Sequence, residues 1–295
     1  MPKYALITGA SSGIGYSMAI ALHKRGYRII GIAPEQFLWE MKPLEQQIGL
    51  IPVACDISDL DQVKTAAAKV KEITGNRLDI LYNNAGICPV GGPAIDADDL
   101  AVKKIMDVNV VGHMYMTKYC SEMVIEAAGT IIFTSSVAAR VPLSWISVYC
   151  ATKAAIDQYA LVLRSEMKPF GVKVHSVITG GVNTGIGDSA LSSGLRLPYF
   201  DVDAVRDSMS CAADMSRNPR TTITPDQYAE GVANKICKRR DVGFNIYAGW
   251  GAYLLHYLRW YCPVWLMTLF IQIHFKQRRA LSQVRQLFLQ RKKMN

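Results

Sequence analysis

Residues 4–24 read YALITGASSGIGYSMAIALHK, and the fold turns on this stretch. Tyr4–Thr8 is a short aliphatic run with the character of a buried strand, and Gly15–Lys24 spaces its apolar residues as a helix does. Between them lies Thr8-Gly9-Ala10-Ser11-Ser12-Gly13-Ile14-Gly15. Glycines at such a junction let main chain approach a pyrophosphate, whose charge then rests on the amides and positive dipole end of the helix. Gly9, Ser11, Ser12, Gly13, Ile14 and Gly15 are therefore expected to hold a dinucleotide. The spacing is G-x-x-x-G-x-G rather than G-x-G-x-x-G, and in isolation it also suits an ordinary turn. The same letters spell G-x-S-x-G around Ser11, the nucleophile elbow of serine hydrolases. That elbow needs several strands before it, and only Met1–Ile7 precede this one, so the cofactor reading is preferred.

Outward from this unit, strand-like runs recur at Arg28–Ala33, Leu50–Cys55, Ile80–Asn83, Thr130–Thr134 and Val172–Ile178. Helical patterns alternate with them at Leu60–Thr74, Leu100–Val124 and Ser147–Met167. Such alternation predicts an α/β fold, a doubly wound parallel sheet of Rossmann type in a single catalytic domain over residues 1–241. Residues 185–224 lapse into Gly, Ser, Pro and Arg, with a helical candidate at Asp201–Ala213, and read as a lid over the substrate. Helix resumes at Pro225–Lys238, and Val242–Ala248 suits a last strand.

Of the 295 residues, 50% are hydrophobic and 19% charged, which excludes a disordered or collagen-like chain. The seven cysteines are scattered without a C-x-x-C, so neither a zinc site nor a secreted disulfide framework is expected. Residues 1–25 carry no signal-peptide core, so a cytosolic start is expected. The net charge of +9 is unevenly placed: residues 242–295 hold eight of the 33 basic residues and none of the 24 acidic ones. With the body nearly neutral, nucleic-acid binding lacks its electrostatic motive.

Further positions carry chemistry. Tyr149 and Lys153 stand at i,i+4 on one helix face, where an ammonium is expected to lower the phenol's pKa and make it a usable proton donor. Ser136 closes the strand upstream and is placed to polarise a carbonyl. Asn109, polar inside an apolar helix, is either a satisfied core amide or a kink holding a proton-relaying water. Asp56-Ile57 follows the third strand, where a carboxylate suits an adenine amino group or caps the next helix. Asn83, Ala85 and Gly86 end the fourth strand at the edge where ligands bind.

In order and spacing these features resemble the short-chain dehydrogenase/reductase family over roughly residues 3–240. The resemblance implies Tyr149 as general acid/base, Lys153 also holding the nicotinamide ribose, Ser136 orienting the carbonyl and Asn109 completing a relay. Thr179-Gly180-Gly181-Val182-Asn183-Thr184, Glu166–Phe170 and Leu81–Gly86 are similar to a fungal subgroup, the NADPH-dependent 1-acyldihydroxyacetone-phosphate reductases. That implies NADPH, with Val182 and Thr184 at the carboxamide. It also implies enzymes of the cytoplasmic endoplasmic-reticulum face and the lipid droplet. Ala33-Pro34-Glu35 lacks the arginine usual in NADP-preferring members, which leaves NAD open.

The tail, residues 242–295, has apolar aromatic segments Ala252–Leu258 and Val264–Ile273 split by Arg259 and Pro263. Neither reaches the ~20 residues of a bilayer crossing, so interfacial insertion or a monotopic hairpin is expected. A basic helix from Lys276, with Leu281, Val284, Leu287 and Phe288 on one face, suits an anionic lipid surface. A dimer interface or a substrate-entrance flap would use similar helices. The expected substrate is a lipidic ketone, acyl-dihydroxyacetone phosphate first, with Arg196, Arg206, Arg217 and Arg220 as candidate phosphate ligands. The alternatives are a steroid, retinoid, terpenoid or polyketide ketone, or a non-catalytic cofactor-sensing droplet protein.

Overall fold

The computed structural model describes residues 2–89, 91–187, 199–238 and 240–294. Seven strands lie in one sheet: β1 (Lys3–Thr8), β2 (Tyr27–Ala33), β3 (Ile51–Ala54), β4 (Ile80–Asn83), β5 (Thr130–Ser136), β6 (Lys173–Thr179) and β7 (Asn245–Ala248). Their order is β3-β2-β1-β4-β5-β6-β7, and every neighbouring pair is parallel. All of β4 and β5 is buried, not every second residue, as a strand covered on both faces requires.

Three helices cover each face. Helices α1 (Gly13–His23), α2 (Lys42–Ile48) and α8 (Pro225–Ile236) set Met18, Leu44 and Tyr228 against Ile7, Ile29 and Ile132. Opposite them, α3 (Leu60–Thr74), α5 (His113–Ala127) and α6 (Ser147–Met167) set Val63, Met116 and Ile156 against Leu6, Ile30 and Phe133. Local signals start two of these helices. Asp59 caps α3 by accepting from the Asp61 and Gln62 amides, and Thr224 with Gln227 forms a capping box ahead of Pro225. The strand order reverses between β1 and β4, which opens a crevice at the carboxyl ends of both.

The expected helix Leu100–Val124 is interrupted. It comprises α4 (Asp99–Met106), a π-helical stretch over Asp107–Gly112, and α5. Helix α2 was not foreseen; Pro43 sits in its first turn, where a missing N–H costs nothing. In the region expected to form a lid, α7 (Asp203–Arg217) runs four residues past its expected end, whereas residues 188–198 lie outside the described residues.

The tail folds back onto the domain. Helix α9 (Ala252–Tyr261) lies along β7 with Ala252 and His256 buried, α10 (Val264–His274) follows Pro263, and α11 (Gln277–Met294) packs on α7. A third, smaller core results, in which Trp145, Val205, Met209 and Ala280 are joined by Leu281 and Val284. Of the stripe expected to face lipid, Leu281 and Val284 are partly buried against the apolar face of α7, whereas Phe288 is exposed. Among the described residues no helix is long and apolar enough to cross a membrane.

Candidate active site

The loop after β1 is shaped by what its glycines exclude. Gly9 and Gly13 adopt φ of +67° and +54°, and a Cβ on Gly15 would lie 2.0 Å from the Gly9 carbonyl oxygen. Ser12 precedes α1 in extended conformation without capping it, and the first turn holds no acidic residue. The opening amides of α1 are thus left for an anion at the edge of the sheet. Ile14 packs into the core beneath, and the Thr184 methyl lies 3.5 Å from where a Gly13 Cβ would be. Val182, buried, forms a bridge with Ile223, so the chain after β6 is folded over the glycine turn. The residues present fit a dinucleotide pyrophosphate.

Asp56 does not cap α3; that role belongs to Asp59. Its Oδ1 accepts from the Ser58 amide and hydroxyl at 3.0 and 2.6 Å, and its Oδ2 pairs with Lys104 Nζ at 2.9 Å. Burial raises its pKa, but the Ser58 hydrogen bonds and Lys104 together bring it below the ordinary carboxylate value. Ile57 is wedged against Gly112, where a Cβ would come within 2.7 Å of the isoleucine side chain.

The two asparagines after β4 part company. Asn83 is fully buried and donates to Thr117 Oγ1 of α5 at 3.1 Å, so only its main chain faces the crevice side of β4. Asn84 ties three strand ends together. Its Nδ2 donates to the Thr8 carbonyl (3.1 Å) and its Oδ1 accepts from Thr134 Oγ1 (3.1 Å). Ala85 is held by Thr8 Oγ1 and by His113, whose Nε2 lies 2.7 Å from the Ala85 carbonyl. Burial, with the Lys153 charge nearby, pushes the His113 pKa down to about 3, so the ring is neutral and Nε2–H donates. Nothing in the sequence marked His113: its role depends on the π-helical stretch just before it.

Asn109 sits within that stretch, and its carboxamide is spent on protein. It accepts from the Ile87 amide at 2.9 Å and donates to the Ile87 carbonyl at 2.9 Å and Thr152 Oγ1 at 3.2 Å. The backbone is distorted where a kink was expected, and the amide is also satisfied. Its side chain braces α6 against the segment after β4. Gly86 lies between Asn109 and Lys153, its Cβ position being 3.5 Å from Asn109 Oδ1 and 3.6 Å from Lys153 Nζ.

Ser136, Tyr149 and Lys153 come together at the end of β5. Ser136 Oγ accepts from the Ala138 amide at 3.1 Å, and Lys153 Nζ donates to the Thr134 carbonyl at 2.8 Å. That ammonium stands 5.6 Å from the centre of the Tyr149 ring. Burial pulls the Lys153 pKa down to about 8. Burial also pushes the Tyr149 phenol up from its ordinary value, with Cys88 adding to the rise and a hydrogen bond with Ser136 opposing it. The expected acidification by the lysine is not seen in the chain alone, where desolvation by burial dominates the phenol.

Over Tyr149 lies a cavity of about 220 Å³, walled by Leu143, Trp145 and Ile146 before α6, Met209 of α7, and Phe275 and Gln277 of the tail. Trp145 holds φ of +72°, in the left-handed region, and is pinned there. Its carbonyl accepts from the Gly92 amide at 2.8 Å, and its Nε1 donates to Ser208 Oγ at 2.9 Å. Ser208 Oγ in turn donates to the Phe275 carbonyl at 2.7 Å. Helix α7 and the tail are thereby clasped across the cavity.

A dinucleotide cradle and a Ser–Tyr–Lys set at one sheet edge define an oxidoreductase that moves hydride between a nicotinamide and a carbonyl. Comparison with known proteins makes the class specific. A family model for short chain dehydrogenase matches residues 3–193. The NADPH-dependent 1-acyldihydroxyacetone phosphate reductase of Saccharomyces cerevisiae is 36% identical over 282 residues, covering 93% of this chain and 91% of that protein. Its namesake in Schizosaccharomyces pombe is 38% identical over 192 residues, covering 65% and 64%. A solved short-chain dehydrogenase from Streptomyces avermitilis shares the fold with a TM-score of 0.74 at 22% identity, over 96% of this chain and 98% of that one. The chain belongs to the short-chain dehydrogenase family.

Proposed function

We propose that this enzyme uses NADPH to reduce the ketone of a long-chain lipid, 1-acyldihydroxyacetone phosphate foremost, at the cytoplasmic face of the endoplasmic reticulum or a lipid droplet. The observation that carries the reading is the apolar cavity over Tyr149, closed by α7 and the tail. An acyl chain suits such walls. The names of the two yeast relatives support this particular substrate and coenzyme. Glu35, where an arginine would clamp a 2′-phosphate, opens a 3₁₀ turn, so the coenzyme assignment leans on those relatives.

When bound in the cradle, NADPH supplies the hydride. Tyr149 delivers the proton: burial keeps the phenol protonated at neutral pH, ready for the oxygen that becomes an alkoxide. Ser136, beside it, hydrogen-bonds that oxygen. Lys153 would hold the nicotinamide ribose and replenish the proton, its pKa near 8 being suited to exchange. Asn109 and Thr152 keep α6 in register with the loop that carries Gly86. The balance is one ketone, one NADPH and one proton for one secondary alcohol and one NADP⁺.

The surface assignment rests on α9 and α10, where Trp260, Trp265 and Phe270 are 70%, 68% and 70% exposed among further apolar neighbours. Aromatic, apolar and next to a basic helix, this patch fits interfacial insertion. One observation favours a second substrate, a neutral lipidic ketone. No cation lines the cavity among the described residues; Arg206 is engaged by Asp201 (2.7 Å) and Asp203 (3.6 Å), and Arg196 lies outside the described residues. Coenzyme consumption by detergent-solubilised enzyme decides between them. The favoured reading expects NADPH oxidation with 1-acyldihydroxyacetone phosphate at least tenfold more efficient in kcat/KM than with the phosphate-free 1-acyldihydroxyacetone; equal efficiency supports the neutral ketone, and no oxidation with either overturns both.

A further inference from the structure

We propose that Gln277, brought into the cavity by the C-terminal segment, binds substrate and selects ketones that carry an oxygen substituent on the carbon next to the carbonyl. The inference rests on the reductase reading above. Gln277 is the first residue of α11 and is only 1% exposed. Its Oε1 is buried and has no hydrogen-bond partner, and the residue lines the same cavity as Tyr149. A buried carbonyl oxygen left unpaired costs about 1–3 kcal/mol, so a residue serving packing alone would be better as leucine or methionine. Leu143, Ile146, Met209 and Phe275 of the cavity wall carry no donor for that oxygen, and the hydroxyls of Ser144 and Tyr149, which line the same cavity, make no bond to it.

The backbone holds this amide in place at some expense. Lys276, just before it, is in the left-handed region at φ +56°, and the carbonyl of Phe275 is fixed by Ser208. Ala280, one turn on, is fully buried against α7, so the start of α11 does not swing freely. The side chain therefore presents a polar group to a mainly apolar pocket at a set position. A carboxamide carries an acceptor and a donor on one carbon, so a half-turn about its last torsion lets it meet a hydroxyl, an ester or a phosphate oxygen. What these share is oxygen next to the ketone. The rest of the cavity is left to the hydrocarbon chain. By this reading the tail completes the substrate site as well as lying beside it.

The test compares two long-chain ketones of equal length with NADPH, an acylhydroxyacetone and a plain alkyl ketone, on wild type and Gln277→Leu, with melting temperature measured alongside. Gln277→Met, unbranched and of similar length, is the second variant should leucine pack badly. The expected result is a KM at least tenfold higher for the acylhydroxyacetone, an unchanged KM for the plain ketone and for NADPH, and a Tm equal to or above wild type. A lower Tm in both variants with both ketone KM values unchanged makes Gln277 a structural residue and overturns the proposal. Equal loss with the two ketones overturns the selectivity. A wild type that oxidises NADPH with 1-acyldihydroxyacetone phosphate but with neither ketone overturns the selectivity assigned to Gln277, and one that oxidises it with none of the three refutes the reductase reading itself, before any variant is made.

Discussion

Tyr149 and Lys153 show how one helix face holds two groups that burial drives in opposite directions. The phenol is pushed up and stays protonated, while the amine is pulled down to about 8. Tyr149→Phe should therefore lower kcat by roughly 10²–10⁴ while leaving NADPH affinity, read by fluorescence titration, unchanged. For Lys153 the folded pKa lies below the unfolded value of 10.5. The unfolded chain's lysine then binds more protons between about pH 8 and 10.5, so this residue's contribution to stability rises across that window and is flat below it. Lys153→Met should remove this rise and melt higher than wild type at pH 7. The lost penalty is on the order of 3 kcal/mol, offset by about 1 kcal/mol for the Thr134 carbonyl left unpaired. Activity should be lost at the same time. Equal slopes of Tm against pH in the two proteins would sink this account of the amine.

At the scale of elements, the π-helical stretch Asp107–Gly112 is the hinge on which the site is arranged. It turns Asn109 toward Ile87 and Thr152, seats Gly112 against Ile57, and starts α5 so that His113 reaches Ala85. A methyl group at Gly112 would meet the Ile57 side chain and carbonyl at 2.7 and 2.8 Å. Gly112→Ala should accordingly cost about 1–3 kcal/mol in denaturant unfolding. In the glycine loop, Gly15→Ala places a methyl 2.0 Å from the Gly9 carbonyl, which forces the turn to move. Weaker NADPH binding, by tenfold or more in the same titration, is expected there; unchanged binding would mean that the turn does not cradle the coenzyme.

Across the whole molecule, the cavity over Tyr149, helix α7 and the tail are one assembly joined through Trp145, Ser208 and Phe275. Ser208→Ala removes both bonds of the clasp and should speed limited proteolysis around α7 without moving the melting of the sheet core. If α9 and α10 meet lipid, as proposed, Trp260→Ser with Trp265→Ser should reduce co-flotation with anionic phospholipid vesicles several-fold while sparing turnover of a detergent-dispersed ketone. Unchanged flotation would leave the aromatic patch without its assigned partner.

The local pattern by itself determined the βαβ opening, the parallel sheet, the glycine loop and the Tyr149–Lys153 face, because these follow from periodicity and from residues close together in the chain. Ser136 was legible too, standing where a strand ends. Tertiary structure decided the rest. Asn83 and Asn84 are neighbours of the same type, and only the packing of β4 sends one into α5 and the other across three strand ends. His113 and Thr152 gain their partners from a helix distortion that no spacing rule marks. The tail's apolar residues read alike along the chain, yet α7 takes up Leu281 and Val284 while Trp260 and Trp265 are left exposed. Periodicity fixes which side of a helix is apolar; what that side meets, lipid or a neighbouring helix, is settled by contacts between segments some seventy residues apart, such as Ser208 and Phe275.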